Sequence, residues 1–457
     1  MPNFFDRYRD QYRRNLALAI PVVLSQAGQV VVQLVDNAMV GRLGALPLAA
    51  VSFGGSVFFM LMIVGVGISL GLTPLVGVSF SQRDHRSSAV YLQNAVLLYG
   101  ILSLVLFGLS QAIVPFMHRM GQPPEVVEMA IPYFNYIAWS LIPLLLFLAF
   151  KQFLEGVGNT RVAMTIIISS NLVNIVFNYL FIYGKFGFPE MGAAGAGLAT
   201  LISRIITPVW VILYFRRKAS FNRYFTFFRW GNFAWKRIRA LLTMGIPISM
   251  QMFMEGSAFV LTGIMMGWIG TYQIAGHQIT TVISNLAFMI VLGIGAATTI
   301  RVSHEYGQGN PVALKLAATA SYHIGLTWNV FTALVFILLR NYIPLLFTSD
   351  PEVVKVASTL LLFAAMFQIS DGLQVISIGI LRGLQDVKIT TVIAFFSYIV
   401  INLPAGYFFA FVLGLGAPGL WMGLILGLSV AAVLLIRRFR RQYARLVART
   451  PAEGARK

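Results

Sequence analysis

Three acidic side chains stand where acids are costly. Asp36, Glu255 and Asp371 lie inside long apolar stretches, whereas the other twelve of the 15 acids fall in polar segments or at the ends of apolar runs. A carboxylate at the centre of a bilayer-spanning helix costs about 2.5–3.5 kcal/mol on insertion scales, so such residues are functional candidates by default. Asp36 has oxygen-bearing company. Asn174 and Asn178 are four residues apart, hence on one helix face, with Asn171 one turn before, and Thr200 lies in the next apolar stretch. A carboxylate grouped with amide and hydroxyl oxygens suits a hard cation such as Na⁺. A carboxylate withdrawn from water is equally able to bind a proton. The residue types leave both open. Glu255 and Asp371 form a second set. Arg204 is the one basic residue deep in an apolar run; it either pairs with an acid or reaches for the nearer interface. His277 and His323 read as packing residues. Phe253, Phe259, Phe288 and Phe367 are candidates to line a cavity, because ring faces attract organic cations.

Other chemistries are excluded. Cysteine is absent, which removes disulfides, thiolate-bound zinc, iron–sulfur clusters and a thiol nucleophile. No aspartate cluster for magnesium and no nucleophile–base pair appears, so the chain does not read as an enzyme. No Gly-rich segment ending in Gly-Lys-Ser/Thr is present, so it does not read as a nucleotide-driven pump. No cofactor is expected, and Na⁺ or H⁺ would act as a coupling ion.

The elements that position these residues are membrane spans. Of the 457 residues, 58% are hydrophobic and only 11% charged, against about 25% charged in ordinary soluble proteins; mean hydropathy is +0.78. Charge-free runs of about 20 residues are the signature of a span. They occur at Asn15–Val35, Leu43–Gln82, Ser87–His118, Met129–Lys151, Val162–Gly184, Met191–Ser203 continuing past Arg204, Ala240–Met254 continuing past Glu255, Gln278–Ile300, Leu316–Leu339, Val356–Ser370 continuing past Asp371, and Ile389–Ile436. The last run holds two spans, broken by the turn-rich Leu413–Gly419. The sequence therefore predicts an all-α integral membrane protein with twelve transmembrane helices. With both termini inside, 28 Lys and Arg fall in inner segments and 5 in outer ones, the bias that orients membrane proteins. The net charge of +19 is thus an orientation signal and not a nucleic-acid footprint.

The halves repeat. Ile20-Pro21 recurs as Ile246-Pro247, Gly41-Arg-Leu-Gly44 as Gly267-Trp-Ile-Gly270, Gly67-Ile68 as Gly293-Ile294 and Thr73 as Thr299, all at an offset of 226 residues. Gly156 matches Gly383 one residue further on. Six spans per half make the repeats parallel, which implies two six-helix lobes related by a pseudo-two-fold along the membrane normal. The predicted boundaries are 1–215 for the first lobe, 216–239 for a basic linker, and 240–457 for the second lobe with its basic tail. The acids are not symmetric, since Thr262 is the repeat partner of Asp36 and Gln29 that of Glu255.

The whole chain resembles the multidrug and toxic compound extrusion (MATE) transporters, and within them the NorM-type branch. The resemblance rests on Gln33-Leu-Val-Asp36-Asn-Ala-Met-Val-Gly41, Met254-Glu255-Gly256, Gln368-Ile-Ser-Asp371-Gly-Leu-Gln374 with the following Gly379-Ile-Leu-Arg-Gly383, and Leu154-Glu-Gly-Val-Gly-Asn-Thr-Arg161. It implies export of small cationic, often aromatic drugs or metabolites in exchange for inward Na⁺ or H⁺. It implies a first cation site at Asp36, Asn174, Asn178 and Thr200, and a second at Glu255 and Asp371 with Phe288 nearby. One departure counts. Where the family pattern has a tyrosine near the second site, this chain has Phe367, so a hydroxyl ligand is missing and proton use, or Na⁺ binding in the first lobe alone, gains weight. The resemblance also implies a bacterial inner membrane; a monomer is expected because the internal repeat already supplies a pseudo-symmetric partner. The rival is a lipid-linked glycan flippase of related architecture, which needs deep Arg or Lys for pyrophosphate; only Arg204 is available.

Overall fold

A computed structural model describes residues 4–449; residues 1–3 and 450–457, which include Glu453 and the end of the predicted basic tail, lie outside the described residues. The described residues form helices joined by short turns, with no strand among them. The helices are α1 (Phe4–Gly41), α2 (Ala45–Ser69), α3 (Leu72–Ser81), α4 (His85–Ile113), α5 (Pro124–Trp139), α6 (Leu141–Gly156), α7 (Thr160–Tyr183), α8 (Gly192–Arg217), α9 (Ala219–Thr226), α10 (Trp235–Ile269), α11 (Thr271–Gly307), α12 (Pro311–Leu339), α13 (Pro351–Gly383), α14 (Val387–Ala394), α15 (Leu403–Tyr407) and α16 (Ala417–Arg449). Among the described residues, twelve helical segments are long and apolar enough to cross a membrane, as the hydropathy runs predict. The second and fourth are interrupted near Leu70-Gly71 and Ser140. The eleventh joins α14 to α15 through a π-helical stretch, Phe395–Asn402, and ends in another, Phe408–Val412. The chain then leaves the helix and re-enters at Ala417, inside the predicted turn.

The chain forms two compact units: Leu24–Ser249, and Met1–Val23 with Met250–Lys457. The division differs from the lobes read off the repeat. The first part of α1 packs within the unit built from the second half, and the first part of α10 packs within the unit built from the first half. Glycines at repeat-related positions receive these segments. A β-carbon on Gly67 would sit 2.8 Å from Ser249 Cβ, and one on Gly293 3.1 Å from Val23 N. Val23 and Ser249 are themselves 226 apart.

The repeat extends to individual packing contacts. A β-carbon on Gly156 would meet Val76 Cβ at 2.8 Å and the Thr73 carbonyl at 3.0 Å; on Gly383 it would meet Val302 Cβ at 2.8 Å and the Thr299 carbonyl at 3.0 Å. The Thr73 hydroxyl donates to the Gln152 carbonyl at 3.2 Å, and that of Thr299 to the Gly379 carbonyl at 3.1 Å. With no hydrophobic drive between helices in lipid, close approach at small residues supplies the packing energy. Helix starts repeat as well. Asp84 caps α4 by accepting from Ser87 N at 2.8 Å, and Asn310 caps α12 by accepting from Ala313 N at 3.0 Å.

The linker between the halves carries a helix of its own. Its α9 carries Phe221, Tyr224 and Phe225 against Phe150, Phe153 and Phe215. The following turn is held by Gln93 Nε2 donating to the Arg229 carbonyl at 2.8 Å and by Asn94 Oδ1 accepting from Ala234 N at 3.1 Å.

Candidate functional site

In the Leu24–Ser249 unit, α1, α7 and α8 bring the predicted first set together. Asn178 is fully buried and its Nδ2 donates to Asp36 Oδ1; the same group donates to Asn174 Oδ1 at 3.0 Å. Asn174 Nδ2 in turn reaches Thr200 Oγ1 at 3.4 Å, and that hydroxyl donates to the Ala196 carbonyl at 3.0 Å. The i, i+4 spacing of the asparagines puts both amides on one face of α7, and packing of α7 on α8 brings Thr200 to them. The Asn178 amide therefore bridges two oxygens with its N–H groups, while its own buried Oδ1 has no partner. Turning that amide would bring its oxygen among those of Asp36, Asn174 and Thr200, the donor set a hard monovalent cation takes. Asn171 also lies on α7, and its buried Nδ2 is likewise unpartnered.

Arg204 is fixed from the side. Its Nη1 donates to Ser140 Oγ at 2.7 Å and its guanidinium lies 5.1 Å over the Phe58 ring. Its charge acts on both Asp36 and Tyr133. Arg204 is thus held in the helix packing by Ser140 and Phe58, with its charge near Asp36 and no ion pair to an acid among the described residues.

The second set lies in the other unit, where α13 packs on α11, α12 and α16. Asp371 is 2% exposed, and its Oδ2 has no hydrogen-bond partner. Glu255, on α10, is near enough for the two charges to interact. The Tyr398 hydroxyl lies within electrostatic reach of Glu255 and accepts from Gln374 Nε2 at 2.5 Å. Arg382 is within electrostatic reach of Glu255, and its Nη2 donates to Gln251 Oε1 at 3.3 Å. Next to Asp371, Gly372 gives room to Asn329: a β-carbon there would lie 2.7 Å from Asn329 Cγ and overlap its Nδ2. Buried polar atoms without partners concentrate here, at Ser284, Asn329, Gln368, Gln374, Ser397 and Asn402. Buried polar atoms are normally paired, so each of these calls for a partner such as a water, an ion or a ligand.

Tyr398 is absent from the sequence reading, and Gln374 and Arg382 enter it only within the motifs that carry the resemblance and not as candidate site residues. Gln374 sits one turn beyond Asp371, a spacing open to inspection. Tyr398 depends on the π-helical turn that aims it, and π-bulges recur at functional sites. Arg382 counts as an inner-loop cation in the charge tally, yet it lies in the last turn of α13 beside Glu255. Glu155 and Glu305 likewise read as span-end acids, but are 4% and 7% exposed. Each pairs with the cation four residues earlier, Lys151–Glu155 and Arg301–Glu305, both at 3.0 Å.

The phenylalanines take different positions. Phe367 is 4% exposed and stacks edge-on between Phe259, 6.0 Å away, and Trp421, 5.7 Å away. Phe253 is 47% exposed and Phe288 is partly buried. His277 packs edge-on against Trp421 at 5.9 Å, and His323 shares a 2.8 Å hydrogen bond with the Tyr12 hydroxyl. Among the described residues, no three His, Asp or Glu side chains gather as a metal cluster.

Comparison with known proteins agrees with this architecture. The family model MatE matches twice, at residues 21–180 and 247–408, and the two matches begin at the repeat-related Pro21 and Pro247. The chain is 35% identical over 447 residues to a probable multidrug resistance protein NorM of Xanthomonas campestris, covering 98% of both chains. It is 34% identical over 452 residues to one of Idiomarina loihiensis, covering 97% of both. Among solved structures, the outward-facing conformation of a multidrug resistance MATE family transporter superposes with a TM-score of 0.87 at 22% identity, covering 96% of this chain and 97% of that one. A MOP superfamily transporter from Pyrococcus furiosus, described as having a binding pocket of reversed polarity that suggests a different function, superposes with a TM-score of 0.85 at 22% identity, covering 98% and 99%. These two likenesses carry the fold. The family follows from the double match along most of the chain and from the full-length relatives: the chain is a multi-pass membrane protein belonging to the MatE family.

Proposed function

We propose that this protein is a cation-coupled multidrug efflux antiporter, exporting cationic, often aromatic compounds by alternating access in exchange for Na⁺ or H⁺. The observation that carries the reading is the Asp36–Asn178–Asn174–Thr200 chain, an intramembrane carboxylate joined to three oxygen-bearing side chains, in a protein whose full-length relatives are named for multidrug resistance. The second carboxylate pair, Glu255 and Asp371, gives the other unit an acidic site of its own.

A cation arriving from outside neutralises the carboxylates. That weakens their hold on a cationic drug, which leaves outward; on the inner side the cation departs and drug rebinds. Each ion choice asks something different of Asn178. Na⁺ at Asp36 needs an oxygen where the amide now presents N–H, so the amide must turn. A proton adds to the Asp36 oxygen that the amide leaves free, and Asn178 keeps its bond. The loss of a hydroxyl at Phe367 favours a proton, or Na⁺ in the first set alone. One charge crossing the membrane potential is worth about 2.3 kcal/mol per 100 mV. Exchange of one cation for a singly charged drug is electroneutral and runs on the ion gradient. We place the protein in a bacterial inner membrane, as a monomer with both termini in the cytoplasm.

The test is ethidium efflux from loaded proteoliposomes, driven separately by a Na⁺ gradient and by a pH gradient, for wild type, Asp36→Asn, Glu255→Gln and Asp371→Asn. Efflux driven by one gradient and lost in the variants is the expected result and names the ion. Unaltered efflux in all three variants refutes the carboxylate mechanism.

A further inference from the structure

The sixth span ends at Arg217. There the surface opens into a cleft of about 450 Å³ lined by Trp210, Leu213, Tyr214, Arg217 and Lys218. Residues 210, 213, 214 and 217 follow one another at helical spacing, so they form a single stripe along the last turns of α8. The stripe is graded. Its upper part is an indole and a half-exposed leucine, its middle a tyrosine, and its end two cations.

The wall behind the stripe is a packed aromatic cluster. Tyr214 packs against Phe221 of α9 with ring centres 5.4 Å apart. Phe215 is fully buried among Phe150, Phe153, Phe221 and Phe225, at 5.0–5.8 Å. The cleft therefore lies against that packed cluster, with Leu213, Arg217 and Lys218 exposed along it. Its charge is unopposed along the chain, since no Asp or Glu occurs between Glu190 and Glu255. Two of the neighbouring cations are held elsewhere. Arg223 lies over the Tyr224 ring at 5.2 Å; Arg237 lies over Tyr91 at 4.5 Å and donates to Ser87 Oγ at 3.2 Å. Arg217 and Lys218 open into the cleft.

We propose that this cleft is a site for one anionic phospholipid. Arg217 and Lys218 hold its phosphate, the Tyr214 hydroxyl faces the glycerol region, and Leu213 and Trp210 lie along the upper acyl chain. Two features select a lipid over a soluble anion. Three of the five lining residues offer apolar or aromatic surface, for which a free phosphate has no use, and the cleft straddles the end of a span, where indole and phenol rings sit at headgroup level. Basic pockets at this depth bind anionic headgroups, and each Lys or Arg contributes about a factor of five to affinity.

The experiment uses the purified full chain in neutral detergent. Phosphatidylglycerol, cardiolipin, phosphatidylcholine and glycerol 3-phosphate are titrated in turn, with bound lipid counted by native mass spectrometry and stability followed by thermal unfolding. Wild type should retain one anionic lipid and unfold at higher temperature with it, and should gain nothing from phosphatidylcholine or glycerol 3-phosphate. Arg217→Gln with Lys218→Gln should bind the anionic lipid roughly thirty-fold more weakly. Lys236→Gln with Arg239→Gln, an equal charge loss on the same basic segment, should bind as wild type. The single variants Lys218→Gln and Trp210→Leu, each several-fold weaker, serve if the double variant does not fold. Equal weakening in both double variants would mean diffuse attraction and overturn the site. So would binding of phosphatidylcholine to the same extent, or saturation by glycerol 3-phosphate.

Discussion

Replacing Asn178 by leucine keeps the volume close and removes the amide that holds Asp36. In the structure that amide donates two hydrogen bonds from a fully buried position, one to the Asp36 carboxylate and one, of 3.0 Å, to Asn174 Oδ1. A bond to a charged acceptor contributes about 1.5–3 kcal/mol and a neutral one about 1 kcal/mol. The single variant should therefore lose about 3 kcal/mol of stability. In the Asp36→Asn background the acceptor is a neutral amide oxygen, so Asn178→Leu removes two neutral bonds and should cost about 2 kcal/mol. The double-mutant cycle then closes with a coupling of about 1 kcal/mol, roughly five-fold in the folding equilibrium. Tryptophan fluorescence during denaturant titration in detergent measures all four corners. Ethidium efflux should follow the same logic, with Asn178→Leu impaired in the wild-type background and silent in the Asp36→Asn one. Additivity within about 0.5 kcal/mol, which is the behaviour of independent sites, would refute the idea that Asn178 acts through Asp36.

Other outcomes follow from single contacts. Tyr398→Phe removes the hydroxyl that Gln374 donates to beside Glu255; it should abolish gradient-driven efflux while leaving the unfolding temperature within a few degrees of wild type, and full efflux would exclude a role for that hydroxyl. Gly156→Ala and Gly383→Ala press a methyl onto a valine and a backbone carbonyl at matching distances; each should cost about 1–3 kcal/mol, the range for overpacking, and the two losses should be similar. Gly108→Ala, with nothing within 4 Å of the added carbon, should stabilise by up to about 1 kcal/mol. Asp84→Ala and Asn310→Ala each remove a helix cap worth about 1 kcal/mol. The Ser87 donors hold the Asp84 carboxyl below its ordinary value. Its contribution is therefore complete above pH ~4 and disappears as the pH falls further, so the Asp84→Ala loss should shrink on acidification while the Asn310→Ala loss does not. Unfolding in detergent as a function of pH checks both.

Hydropathy made the twelve spans legible, because membrane insertion reads about twenty residues at a time and ignores the rest of the chain. The 226-residue offset showed the repeat for a related reason: duplicated segments preserve small residues wherever helices must approach, as Gly156 and Gly383 do on Val76 and Val302. The Asp36 set was legible in part. An intramembrane acid is conspicuous, and the i, i+4 asparagines announce a common face, whereas the order of the bonds within the set depends on how α1, α7 and α8 pack.

What the sequence by itself determined is local chemistry: which segments cross the membrane, which carboxylates are placed there at a cost, and which helix faces carry oxygen. Only the tertiary structure decided the company those groups keep. It put Val23 on Gly293 and Ser249 on Gly67, so that the compact units divide inside α1 and α10 and not at the basic linker. It brought Tyr398 and Arg382, 143 and 127 residues beyond Glu255 in the chain, to that carboxylate. Hydropathy and helical spacing act over a turn or a span. The partners of a buried charge are chosen by the packing of whole helices, which depends on every small residue along their contact at once.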